Sequence, residues 1–160
     1  MLHVLVLLMA LLIGGVAGLR SLTAPAVVAW AAMLGWIDLQ STWAFWVGNV
    51  ITVAIVTVLA IAELVTDKLP KTPPRTVPPS FAARITMGAF AGAVIGAAWH
   101  FTFSALGCGV IGAALGTAGG YQARRRLVES RGGQGLPIAL LEDVVAVLGG
   151  FAILSLTASL

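Results

Sequence analysis

Apolar residues in this chain fall into six stretches separated by short polar connections, at residues 1–18, 22–37, 43–65, 81–101, 105–121 and 137–160. Most of them have the roughly 17 to 25 residues that an α-helix needs to cross a hydrocarbon core. The first stretch lacks the positive start of a signal peptide, so we expect it to be retained as a span. The pattern predicts an all-α fold, a polytopic transmembrane helical bundle of six spans in one domain, residues 1–160.

The second stretch is the weakest span, and two interpretations of it stay open. As a helix, residues 22–37 would extend about 24 Å, less than a hydrocarbon core of about 30 Å. Pro25 also lies near its start. The stretch either crosses the bilayer thinly or re-enters on the side from which it came. A full crossing is the prediction that brings Arg20 level with the acidic ends of the third and sixth spans.

A proline-rich connection at residues 70–80 divides the chain into halves, 1–70 and 80–160. Proline stops a helix because it lacks a backbone N–H and clashes with the preceding turn. Each half carries three apolar stretches, so the second half enters the membrane in the opposite sense, which is the topology of a 3+3 inverted repeat. Two short matches accompany that count: Glu63-Leu64-Val65 with Glu142-Asp143-Val144, and Gly15-Val16-Ala17-Gly18 with Gly116-Thr117-Ala118-Gly119.

Composition and charge agree with a membrane protein. Hydrophobic residues make up 59% of the chain, charged residues 9%, and the mean hydropathy is +1.03. If all six stretches cross, all nine Lys and Arg residues share one side, which the positive-inside rule makes cytoplasmic, with both termini outside the cytoplasm. Re-entry of the second stretch would move Arg20 to the opposite side. No basic run is interleaved with aromatic residues, so we expect membrane lipid and no nucleic acid as partners.

Glycine at four-residue spacing is the clearest packing signal. These glycines lie along one face of the first, fourth and fifth spans. Because glycine has no Cβ atom, helix backbones can approach closely there. We expect these faces to pack either within one chain or across a homodimer, with a glycine-lined pore as the minor alternative. The residues are Gly14, Gly18, Gly88, Gly92, Gly96, Gly112, Gly116 and Gly120.

Carboxylates near the basic side are the best candidates for a binding site, because a charge at membrane depth costs about 2.5 to 3.5 kcal/mol. Glu63 and Asp67 lie at a helix C-terminal end, where the helix dipole disfavours negative charge, so they require a partner such as Arg20. The cluster is either a set of interfacial ion pairs that fix helix ends, or a site for a cation, a proton or a polar headgroup. The ligand- or ion-binding candidates are Arg20, Glu63, Asp67, Lys68, Arg124, Glu142 and Asp143.

Motifs for catalysis, metals and cofactors are missing from the sequence. The chain has no HExxH zinc helix, no phosphate loop ending in Gly-Lys-Ser/Thr and no GxSxG nucleophile elbow. His3 and His100 lie near the non-basic side without the spacing of metal ligands, and Cys108 is the single cysteine. We therefore expect no enzyme activity, no metal and no cofactor.

An acidic motif closes the third stretch and reads Glu63-Leu64-Val65-Thr66-Asp67-Lys68-Leu69-Pro70. Together with Gly18-Leu19-Arg20 and Glu142-Asp143, it resembles a bacterial family of small integral membrane proteins catalogued as domain of unknown function 4126. The resemblance covers most of the chain and implies a multi-span inner-membrane protein without an established substrate. This chain departs from the family at Lys71-Thr72-Pro73, where an acidic residue is expected.

These features favour a small transporter or channel-like protein for an ion or small polar solute, with a charged site that faces the cytoplasm. The alternative is a non-transporting membrane scaffold or a lipid-interacting accessory protein. In that case the charged cluster only pins helix ends and headgroups. A membrane enzyme acting on a lipid headgroup ranks third.

Overall fold

The computed structural model describes residues 1–69 and 77–160. Most of the predicted proline-rich connection, residues 70–76 with Lys71 and Arg75, lies outside the described residues. Within the described residues the chain is all-α, as predicted, with no strand. The described residues form six α-helices, α1 (Leu2–Leu19), α2 (Thr23–Met33), α3 (Val50–Thr66), α4 (Pro78–Ala98), α5 (Thr102–Ser130) and α6 (Leu136–Ser155).

Four of these helices, α1, α4, α5 and α6, are long and apolar enough to cross a membrane. The other two are shorter, with 11 residues in α2 and 17 in α3. The predicted span 22–37 is therefore helical only in part. Beyond its last residue, Met33, helix α2 is closed by Gly35, whose φ is +78° and whose N–H donates to the carbonyl of Ala32, while the N–H of Trp36 donates to the carbonyl of Ala31. This is the Schellman arrangement that commonly closes helices.

Two other predicted boundaries are wrong for identifiable reasons. Helix α3 starts at Val50 rather than at residue 43, because the side chain of Asn49 accepts a hydrogen bond from the N–H of Ile51 at 2.9 Å and caps the helix. Helix α5 continues to Ser130, nine residues beyond the predicted end at Tyr121. The basic segment contains strong helix formers, so the helix runs on until Gly132 and Gly133 adopt positive φ.

Successive helices alternate in direction. Gly14 and Gly18 of α1 contact Gly109 and Thr117 of α5, so these two helices are parallel. Gly88 and Gly92 of α4 contact Gly109 and Ala105 of α5 in the reverse order, so α4 is antiparallel to α5. Side-chain hydrogen bonds place the end of α1, the start of α2, the end of α3 and the start of α6 at one end of the bundle, here called the charged end. The opposite end, here called the tryptophan end, contains Trp36, Trp43, Trp46 and Trp99.

Helices α1, α4 and α5 are held together by direct backbone contact. A Cβ atom added to Gly112 would lie closer than 3 Å to the carbonyl oxygen of Leu11, and one added to Gly14 would meet the backbone of Gly109. Small residues permit this approach, and dispersion between the backbones then stabilises the pair. Six glycines have such a contact with the backbone of another described helix, and Gly96 has one with Phe101, the residue before α5. The six are Gly14, Gly18, Gly88, Gly92, Gly112 and Gly116.

Helix α2 lies at the centre of the bundle. Eight of its 11 residues are buried, whereas only Val53 and Ala60 are buried among the 17 residues of α3. Apart from Trp30 and Met33 its side chains are small, and the helix packs against α1, α3, α4 and α6. A helix surrounded by protein need not match the thickness of lipid, because its polar end groups can bond to neighbouring helices.

We predict that Gly112→Ala lowers the free energy of unfolding by about 1 to 3 kcal/mol, because the new methyl group overlaps a backbone oxygen that cannot move aside. Gly107→Ala is the matched control on the same helix, since a Cβ there meets nothing within 4 Å. It should be neutral or stabilising by up to about 1 kcal/mol. Unfolding titrations in mixed detergent micelles measure both, and equal losses would contradict the packing.

Candidate functional site

Charged side chains from several helices converge on the corner between α1 and α2. Arg20 occupies this corner with an extended backbone, φ −140° and ψ 107°, and its side chain is 0% exposed. Its Nε atom donates to Oδ1 of Asp143 at 2.7 Å, and its Nη1 atom contacts Oδ2 of Asp67. One guanidinium therefore joins the ends of α3 and α6 through the corner.

Glu63 caps the N-terminus of α2 from a different helix. Its carboxylate accepts from the N–H groups of Ser21 and Leu22, both at 2.8 Å, and from the hydroxyl of Ser21 at 2.6 Å. Leu22, the residue in the N-cap position, has no side-chain oxygen to do this. The partial positive charge of the α2 N-terminus supplies the partner that a carboxylate at the end of α3 requires.

Lys68 links α3 to α6. Its ammonium donates to the carbonyl oxygen of Leu64 at 2.7 Å and also contacts Oδ2 of Asp143. The first bond places a positive charge at the C-terminus of α3, where the helix dipole favours it. Asp143 is thus shared between two cations, Arg20 and Lys68.

Arg84 also belongs to the site, although the sequence predicts it only as one of the nine basic residues on the cytoplasmic side. Its Nη1 atom donates to the carbonyl oxygens of Gly18 at 2.8 Å and Leu19 at 2.7 Å, so it caps the C-terminus of α1. Its Nη2 atom lies 3.9 Å from Oδ2 of Asp67. One sequence feature could have indicated this role. Arg84 lies one helical turn before Gly88, on the face of α4 that packs against α1.

The six charged residues around this corner, here called the corner cluster, carry equal numbers of opposite charges. Among the described residues, three cations face three carboxylates, so the formal charges cancel. Burial of such a set in a bundle is tolerated only when every charge is paired and hydrogen-bonded. The members are Arg20, Lys68, Arg84, Glu63, Asp67 and Asp143.

Arg124 and Glu142 stand apart from the corner cluster. Arg124 Nη1 lies 3.9 Å from Glu142 Oε2, a Coulombic contact longer than a hydrogen bond, and the Arg124 side chain is 34% exposed. Both residues border a groove of about 320 Å³ between α5 and α6. Of the seven predicted site residues, five therefore meet at the corner and two form a separate pair. Gly120, also predicted for packing, lines this groove.

The tryptophan end carries the histidines. The ring of His3 lies 4.4 Å from that of Phe101, centroid to centroid, and the described residues contain no group of three or more His, Cys, Asp or Glu side chains suited to a metal ion.

No family model matches the chain, and neither does any curated protein or solved structure.

We predict that Arg20→Met lowers the free energy of unfolding by about 3 to 5 kcal/mol, because the three carboxylates of the corner cluster then face only two cations and one negative charge is left uncompensated. Arg125→Met is the matched control, since Arg125 forms an ion pair with Glu129 and its side chain is 69% exposed. Its loss should cost no more than about 0.5 kcal/mol. Denaturant titration of both variants in the same detergent measures the difference, and a small loss for Arg20→Met would contradict a tightly coupled cluster.

Proposed function

We propose that the chain is a multi-pass protein of the bacterial inner membrane in which all six helices cross, with the charged end in the cytoplasm. Four helices of sufficient length and apolar character support this proposal, as does the alternation of helix direction. Helix α2 would cross inside the protein rather than through lipid. Membership of the family that the sequence resembles stays a prediction of the same kind.

Cysteine labelling with a membrane-impermeant maleimide tests this topology in a Cys108→Ser background. Asp38 is exposed beyond the end of α2, and Glu129 is exposed near the end of α5. We expect Asp38→Cys to be labelled only from outside and Glu129→Cys only from the cytoplasm. Labelling of both positions from the same side would show that α2 re-enters instead of crossing. That result would contradict the proposed topology.

For the activity, we propose a small transporter or channel-like protein for an ion or small polar solute, with the corner cluster as its cytoplasmic gate. The observation that carries this proposal is the fully buried guanidinium of Arg20, bridged to α3 and α6. Buried ion pairs rarely add net stability over apolar residues of similar volume. Six charges concentrated on one helix corner are therefore better explained by a function that makes and breaks these pairs.

Polar groups at both ends of α2 suggest where a solute would pass. Thr23, the first residue of α2, is 3% exposed, and its hydroxyl has no hydrogen-bond partner among the described residues. At the tryptophan end, a cavity of about 690 Å³ is lined in part by Asp38, Gln40 and Asn49. In the proposed cycle, release of the Arg20 bridges lets the corner swing away and opens the cytoplasmic end beside α2.

We predict that Glu63→Gln abolishes cation or proton flux while the protein stays folded. The neutral amide removes the negative charge that Glu63 places against the positive N-terminus of α2. The measurement uses proteoliposomes with an entrapped pH-sensitive dye and imposed Na⁺ or K⁺ gradients. Glu129→Gln, which removes an exposed carboxylate outside the cluster, is the control and should keep the flux of the parent protein. Unchanged flux in Glu63→Gln would remove Glu63 from the mechanism.

The second candidate is a non-transporting scaffold or lipid-interacting accessory protein. The charge cancellation within the corner cluster favours it, as do the backbone contacts of the glycine helices. Under this alternative, the double variant Glu63→Gln/Arg20→Met loses thermal stability or lipid retention, and the parent protein shows no flux to lose.

The 3+3 inverted repeat stays a prediction. Its two acidic motifs do not occupy equivalent places, because Glu63 lies near the end of α3 whereas Glu142 lies near the start of α6.

A further inference from the structure

The groove between α5 and α6 is an apolar channel open at the side of the bundle. Small residues of α5, including Gly119 and Ala123, form one wall, and Ile138, Leu141 and Val145 of α6 form the other. The groove encloses about 320 Å³, and Leu19 at the end of α1 also borders it. Its apolar lining suits a flexible hydrocarbon chain.

Arg124 borders this groove at the depth of lipid headgroups. Helix α5 has 29 residues, so it extends about 43 Å, whereas a hydrocarbon core is about 30 Å thick. Counted from Thr102, a core of that thickness is crossed in about 20 residues, which places Arg124 just beyond it. The guanidinium makes no hydrogen bond within the described residues, and its donors are available to a ligand.

The charges around Arg124 favour an anionic headgroup. Arg125, Arg126 and Arg131 lie within two turns of it, and the single carboxylate on this part of α5, Glu129, is already paired with Arg125 at 3.1 Å. Glu142 faces Arg124 from α6 and would repel a phosphate. A phosphate would therefore contact Arg124 from its exposed side, away from Glu142.

We propose that this groove binds one acyl chain of an anionic phospholipid whose phosphate is held by Arg124. Guanidinium binds phosphate through two parallel hydrogen bonds, which gives the contact more strength and specificity than a point charge has. The cytoplasmic leaflet supplies anionic lipids at this depth. The site is separate from the corner cluster. It rests on the proposed membrane topology, but not on whether the protein transports a solute.

Native mass spectrometry of the full chain, titrated with phosphatidylglycerol or phosphatidylcholine in detergent, tests the proposal. We expect tighter retention of phosphatidylglycerol and a loss of about tenfold in its affinity for Arg124→Gln. Arg124→Lys should lose less, because it keeps the charge but not the paired hydrogen bonds. Arg126→Gln is the matched control, since Arg126 lies on α5 outside the groove, and it should keep the affinity of the parent protein.

A second variant tests the acyl-chain wall independently of charge. Ala123→Phe fills the groove, and we expect it to lower retention of phosphatidylglycerol while Arg124 remains in place. Thermal unfolding of each variant verifies that it is folded. Equal losses in Arg124→Gln and Arg126→Gln would overturn the proposal in favour of unspecific attraction to a basic surface, as would equal binding of the two lipids or full retention in Ala123→Phe.

Discussion

The structure depends on one constraint, which is that the backbone groups at the corner between α1 and α2 must find partners away from water. A helix leaves unpaired carbonyls at its end and unpaired N–H groups at its start. Here both kinds of group lie within the five residues from Gly18 to Leu22, on either side of the buried Arg20. Arg84 takes the carbonyls and Glu63 takes the N–H groups. Each partner comes from a different helix, so satisfying the corner also positions α3 and α4 around it.

The bundle combines two kinds of helix contact. Helices α1, α4 and α5 meet through glycine backbones, a contact that tolerates little displacement because packed interiors change arrangement in discrete steps. Helices α3 and α6 reach the corner through charged side chains, whose pairs can separate and reform. Three tightly packed helices, with two further helices attached through ion pairs, are compatible with a gate. They are equally compatible with a scaffold whose ion pairs stay closed. Flux measurements distinguish the two because only the gate requires the pairs to break.

Sequence patterns predicted the large features of this fold. Six apolar stretches gave six helices, and the dipole argument identified Glu63 and Asp67 as carboxylates that need partners. The end of α5 was placed too early because basic residues were taken for a connection, although they are good helix formers. Arg84 was missed as a partner because its bonds go to backbone carbonyls of α1, 65 and 66 residues away, which no local pattern encodes. The shortness of α2 follows from its central position, and that is a tertiary property.

The sequence separation between Arg20 and Asp143 has a consequence for biosynthesis. The two residues are 123 positions apart, and α1 packs mainly on α4 and α5, which leave the ribosome much later. The first helices are therefore synthesised before these partners exist. Until α6 has been made, the guanidinium of Arg20 lacks Asp143, so the corner cannot form its final set of ion pairs. Completion of the corner cluster accordingly waits for the last α-helix among the described residues.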